Sequence, residues 1–151
     1  MAQLSHVIEI RREPKQVFEL LGDPTRDAEW AGPVVAVEAL MPGPIGVGSR
    51  LRQTSRTLGV RFPMLLEVTE YEPNRRIVLK SMAGAVAFRN ERRFDPTDTG
   101  TRVTFIGNVR LHRALRLVEP LAVRFSGGQV DRDLEAVKRR LEAAAQSSSR
   151  Q

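Results

Sequence analysis

Two side chains are the candidates for catalysis in this chain, His6 as an acid or base and Arg92 as a fixed positive charge. His6 alternates with Ile8 and Ile10 along Leu4 to Ile10, a β-branched run that reads as a strand, so it shares an apolar face. An imidazole placed there acts as an acid or a base, or is a structural histidine with no chemical role. In the strand beginning at Val86, the apolar register groups Phe88, Asn90, Arg92 and Phe94, carrying Asn90 and Arg92 toward the interior. An inward guanidinium orients a carboxylate or stabilises an enolate, and it needs an acidic partner. The competing expectation is an arginine near the sheet edge whose head snorkels to water. Alternation along Ser49 to Leu58 turns Leu51, Gln53, Ser55 and Thr57 inward and Arg50, Arg52 and Arg56 to solvent, making Gln53 and Ser55 interior polar groups. Tyr71 ends a strand just before the Glu72-Pro73-Asn74 turn and is expected to pack. Trp30 either caps one end of a pocket or anchors the short helices, and the second is the expectation.

Several chemistries lack their residues. The chain has no cysteine, and its two histidines, His6 and His112, are too far apart for a local metal motif, so no metal is expected. Glu67, Glu70 and Glu72 lie along a strand without the spacing of a catalytic carboxylate pair. The run from Gly43 to Gly48 is glycine-rich but lacks the Gly-Lys-Ser/Thr ending of a phosphate loop and is followed by no parallel βα unit.

The elements that must position these residues belong to one domain. The 151 residues are 41% apolar and carry 24 basic against 18 acidic side chains, a net charge of +6. A chain of this length buries roughly 68–70% of its unfolded surface. Arginine supplies 21 of the 24 cations, dispersed along the chain and read as a solvated face. One Trp, one Tyr and six Phe are few for base stacking, so nucleic acid is not an expected partner. No apolar run reaches the ~20 residues of a membrane span and no secretory pattern opens the chain, so a cytoplasmic protein is expected.

After the first strand, Val17, Phe18, Leu20 and Leu21 fall at helical spacing behind Glu13-Pro14, and Thr25 or Asp27 is expected to cap a second short helix ending at Trp30. Six strand signals follow: Val34 to Leu40, Ser49 to Leu58, Arg61 to Tyr71, Ile77 to Met82, Val86 to Phe94 and Thr101 to Leu111. Gly107 inside the last marks a bulge or a place where something approaches the backbone closely, and the bulge is the expectation. From Leu117 onward the period is helical again, with Gly127-Gly128 expected to interrupt or kink one long helix and to leave its first part as a lid. Residues 1–146 form the domain in this reading, with 147–151 a frayed tail.

The order of these pieces is similar to a known family. The matching text runs from Pro14-Lys15-Gln16-Val17-Phe18-Glu19-Leu20-Leu21 through Asp23-Pro24, Trp30 and Gly32-Pro33-Val34 to Gly46-Val47-Gly48-Ser49-Arg50. It continues with Val68-Thr69-Glu70-Tyr71-Glu72-Pro73-Asn74-Arg75-Arg76 and Gly100-Thr101-Arg102-Val103-Thr104. In these segments the chain resembles the polyketide cyclase/dehydrase and lipid-transport (SRPBCC) family of the START/birch-pollen-allergen superfamily. The resemblance implies an α+β helix-grip fold: a curved antiparallel seven-stranded sheet wrapped around a long C-terminal helix, with two short helices after the first strand. It also implies an internal cavity for a small hydrophobic ligand, lipid-, quinone- or polyketide-like, and no cofactor. With the alternation above, Trp30, Leu51, Gln53, Ser55, Leu66 and Tyr71 are expected to line it, together with Phe88, Asn90, Arg92, Phe105, Leu121 and Phe125. Binding or transport is the first expectation. A cyclase or dehydratase working through His6 and Arg92 in the same cavity is the alternative, and a basic surface that docks on RNA or an acidic partner is a third. The chain is expected as a monomer or a homodimer.

Overall fold

The computed structural model describes residues 2–57, 59–83, 86–111, 117 and 119–149. Strand β1, Ala2–Ile10, leads through Arg11-Arg12 into helix α1, Pro14–Leu21. Pro14 opens α1, where its missing N–H costs nothing. The Gln16 side chain accepts from the Glu13 N–H at 3.2 Å, satisfying another donor at this end. A 3-10 turn, Pro24–Glu29, follows. Its cap is Asp23, which accepts from the Thr25 N–H and hydroxyl at 3.0 and 2.6 Å, in place of the expected Thr25 or Asp27. Pro24 takes the first position of the turn, so the residue before it becomes the cap.

Strands β2, Val34–Ala39, β3, Arg50–Thr57, β4, Val60–Glu72, β5, Arg76–Ala83, β6, Val86–Pro96, and β7, Thr101–Leu111, form a meander, and helix α2, Glu119–Ser149, ends it. The seven strands make one antiparallel sheet in the order β1-β7-β6-β5-β4-β3-β2. Its register shifts fall between Val34 and Ala36 on β2 and between Leu65 and Leu66 and Val68 and Glu70 on β4. The expected bulge at Gly107 is absent: β7 stays in unbroken register with both β1 and β6. A glycine marks a bulge only when the partner strands have an unequal residue count, and here they match. Gly100 has a different reason to be glycine. A Cβ there would lie 2.1 Å from the Ile10 carbonyl oxygen, so the β6–β7 turn approaches the end of β1 only without a side chain.

Helix α2 is helical through Gly127 and Gly128, where an interruption was expected, and on to Ser149. Two glycines cost a helix about 1 kcal/mol each relative to alanine, a penalty that tertiary anchoring of a 31-residue helix offsets. The anchors run along its later turns: Lys138 Nζ donates to the Glu9 carbonyl at 2.6 Å, Arg12 to the Leu141 carbonyl at 2.9 Å, and the Gly32 N–H to Asp133 at 2.9 Å. Leu134 and Val137 of the same helix are buried with Ile10, Phe18, Phe94, Val103 and Phe105. A second apolar cluster, Leu51, Leu66, Val68, Ile77 and Leu79, lies on the other half of the same sheet face, flanked by half-buried Met64 and Phe88.

On the opposite face Glu91 is buried beneath Arg76, Arg89 and Arg93. Burial alone would raise its carboxyl, but hydrogen bonds from Arg76 and Arg93 hold it below the usual carboxylate range. Glu142 is likewise held low by its hydrogen bond from Lys138. Glu29, bonded by Arg26 and reached by Arg140 of α2, is brought down to about 2. The dispersed arginines thus serve in part as clamps between elements.

Candidate functional site

Antiparallel register lays out the concave face as rows of side chains. One row reads His6, Phe105, Arg92, Ile77, Tyr71 across β1, β7, β6, β5 and β4. The next reads Leu4, Gly107, Asn90, Leu79, Val68. Farther along, Leu51 pairs with Leu66, and Gln53 with Met64 and Val37. Leu51 and Ser55 are buried while Arg50, Arg52 and Arg56 are exposed, the alternation expected for β3. The Gln53 amide donates to the Ser55 hydroxyl at 2.9 Å. The Thr57 side chain lies outside the described residues.

Arg92 is 5% exposed and points inward, against the expectation that it snorkels to water. Its partner is Asp27, 2% exposed, which takes two hydrogen bonds from the guanidinium at 2.9 and 2.6 Å. Arg92 also donates to the Leu21 carbonyl at 2.9 Å and, through Nε, to Asn90 Oδ1 at 2.8 Å. The planar head stacks near the Trp30 and Phe105 rings, 5.7 and 5.4 Å from their centroids. Burial pushes the Asp27 carboxyl up, while the charge and hydrogen bonds of Arg92 pull it back. The Trp30 indole N–H is turned to the same carboxylate but falls short of hydrogen-bond geometry. This cluster fastens the 3-10 turn and α1 to the sheet and commits nearly all the donors of Arg92 to the protein itself.

His6 is engaged separately. Its Nδ1 meets Asp131 Oδ1 of α2 at 2.6 Å, and its Nε2 is buried without a hydrogen-bond partner among the described residues. Two strand spacings, about 10 Å, and the Phe105 ring separate the backbones of His6 and Arg92. The expected pair is therefore not brought together. Tyr71 packs edge-on against Phe18, ring centroids 5.8 Å apart, and burial raises its phenol. Leu121 and Phe125 fall in α2, but their side chains lie outside the described residues.

Gly107 is a bulge or a place of close approach to the backbone in the sequence reading, and the unbroken register removes the first. A Cβ built there meets nothing within 4 Å among the described residues, although Gly107 stands between Leu4 and Asn90 on the concave face. The Asn90 Oδ1 is held by Arg92, leaving its amide N–H group beside that opening without a protein partner among the described residues. Asp27 and Asp131, the two acids that fix Arg92 and His6, went unread. They lie 65 and 125 residues from their partners, and no local spacing marks them. A separate open cleft of about 730 Å³ sits at the far end of the sheet, between Arg11–Gln16, the 96–100 turn and Ala145. It is a solvent-open groove among loop side chains and contains none of the expected residues.

Residues 1–142 match the family model described as polyketide cyclase / dehydrase and lipid transport. The chain belongs to this family. Solved structures agree on the fold. A protein of Thermus thermophilus is 21% identical with a TM-score of 0.78, the match covering 95% of this chain and 99% of that one. A START superfamily protein from Mycobacterium smegmatis is 16% identical with a TM-score of 0.75, covering 92% and 98%. The Zhui aromatase/cyclase from a Streptomyces species is 18% identical with a TM-score of 0.70, covering 96% and 93%. Comparison with curated proteins gives no match. The seven-stranded curved sheet and long C-terminal helix are the helix-grip architecture of the family. Among the described residues no group of three or more His, Cys, Asp or Glu side chains can hold a metal ion, and no helix is long and apolar enough to cross a membrane.

Proposed function

We propose that this family member binds or carries a small, largely apolar molecule held between the concave face and α2. The observation that supports the reading is Gly107, where no described residue lies within 4 Å of a Cβ position on a face that also carries Leu4, Leu51, Leu66, Leu79, Phe88 and Phe105. A ligand there gains about 25 cal/mol per Å² of apolar surface withdrawn from water. The Asn90 amide, with Gln53 and Ser55 farther along, supplies the few polar contacts that set orientation. Trp30 and Tyr71 bound the space beside Phe105, and Leu121 and Phe125 are its proposed wall on the helix. Arg92 is assigned to the framework and not to the ligand, because Asp27, Leu21 and Asn90 already take its donors.

The test is a fluorescence titration with N-phenyl-1-naphthylamine, an uncharged apolar probe that the arginine-rich exterior does not attract. A single saturable site with strongly enhanced emission is expected. Emission that rises linearly with probe, or not at all, would contradict the reading.

A cyclase or dehydratase working in the same space is the second reading. It is favoured by one observation, the hydrogen bond that orients the His6 imidazole on Asp131 and leaves Nε2 without a partner among the described residues. In that reading His6 acts as acid or base without Arg92 beside it.

A further inference from the structure

The distal part of the β3–β4 hairpin, before Glu67, carries charge of one sign. From Arg50 to Leu66 the sequence has four arginines, Arg50, Arg52, Arg56 and Arg61, and neither aspartate nor glutamate. Register sets Arg56 directly opposite Arg61, both exposed, a like-charge pair that destabilises a ladder unless an anion joins it. Arg52 reaches Glu38 on β2 at 3.6 Å, whereas Arg56 and Arg61 have no ion pair among the described residues. Beside these charges on the outer face stands Leu65, 40% exposed and paired with Arg52 in register, while Val60, 63% exposed, sits at the tip on the other face, paired with Thr57.

This hairpin also projects. Among the described residues β5 pairs with β4 no farther than Leu65, so residues 60–64, about 16 Å of strand, extend past it. Gly59, with φ +79, makes the reversal at the tip. Helix α2 begins at the same end. Its Asp131 lies against His6, and the helix rises about 18 Å from Glu119 to Asp131, directed from the start of β1 toward its end. Leu117, 95% exposed just before α2, adds another aliphatic side chain there.

We propose that the β3–β4 hairpin docks the domain on an anionic lipid bilayer, with Arg56 and Arg61 at the phosphates and Val60 and Leu65 in the interface. Phosphates alone would suit a nucleic acid equally, but exposed aliphatic side chains gain nothing against a solvated sugar–phosphate backbone, and the outer face of the hairpin offers no aromatic platform for bases. The proposal draws its purpose from the carrier reading, since docking would set the gap between sheet and helix against the bilayer. Attachment itself requires no cargo.

The experiment is flotation of the purified protein with phosphatidylcholine vesicles, with and without phosphatidylglycerol. Flotation is expected only with the anionic lipid, weakening as salt is raised. Replacing both Arg56→Gln and Arg61→Gln is expected to lower the partition coefficient about thirtyfold, at about 1 kcal/mol per cation near such a surface. Val60→Asp is expected to lower it with both arginines in place. Lys15→Gln, on α1 at the other end of the sheet, removes the same charge as either arginine change and is expected to alter it by less than about twofold. Unchanged melting by circular dichroism checks that the variants fold. Equal flotation of the double variant, no flotation of the wild type, or retention on polyuridylic acid in preference to vesicles would each overturn the proposal. Flotation intact in a protein that fails to bind the naphthylamine probe would remove the carrier reading and leave the docking surface standing.

Discussion

Asp27→Ala is expected to cost about 3–5 kcal/mol of folding stability, the largest effect of any single change considered for this chain. The reason is asymmetric. The pair as a whole gains little over apolar residues of the same size, but removing one partner strands the other charge in the core. In this molecule the stranded group would be Arg92, 5% exposed beneath Trp30 and Phe105. A domain of ordinary stability, about 5–15 kcal/mol, would be left with little reserve. Urea denaturation gives the number. The double replacement Asp27→Leu with Arg92→Met is expected to recover most of the loss, because it removes both charges together. A single variant as stable as the wild type would mean that the pair does not hold the 3-10 turn to the sheet.

Gly107→Leu is expected to act on binding and spare the fold. Gly107 is extended backbone in β7 between β1 and β6, and nothing described lies within 4 Å of where its Cβ would be. A strand interior favours a branched or bulky side chain over glycine, so stability should hold or rise slightly. The same leucine would occupy the space assigned to the ligand, and affinity for N-phenyl-1-naphthylamine should fall at least about tenfold, the equivalent of 1.4 kcal/mol. Unchanged affinity would place the probe elsewhere. A large loss of stability would show that the space is already filled. Gly100 makes the contrast, since a Cβ there runs into the Ile10 carbonyl.

Much of the fold was legible because period and punctuation are local. The alternation Leu51, Gln53, Ser55 against Arg50, Arg52, Arg56 reads directly off β3, and the turns at Glu72-Pro73-Asn74 and after Pro96 fall where the strands end. Asn74 even takes the positive φ, +63, that such a turn favours. The site was legible only in part. The inward position of Arg92 follows from alternation, and its need for an acid follows from burial, but which acid depends on the path of α1 and the 3-10 turn over the sheet. Asp27 accordingly looked like a helix cap, and nothing local singles out Asp131. Gly107 was misread for the opposite reason. A glycine in a strand often bends it, and only the matched register of both neighbours shows that here it removes a side chain and not a ladder contact. At Gly127-Gly128 local propensity predicted a break, and anchors from Glu9, Gly32 and Arg12 to the later turns of α2 outweigh it.

The central claim is that the concave face and α2 hold a small apolar molecule. Native mass spectrometry of the freshly purified protein, followed by denaturing extraction, tests it most directly. The expected result is a native mass above that of the chain by a fixed increment, with one apolar compound recovered near one per chain and lost in Gly107→Leu. A native mass equal to that of the bare chain, in a protein that also leaves the naphthylamine probe in solution, would contradict it.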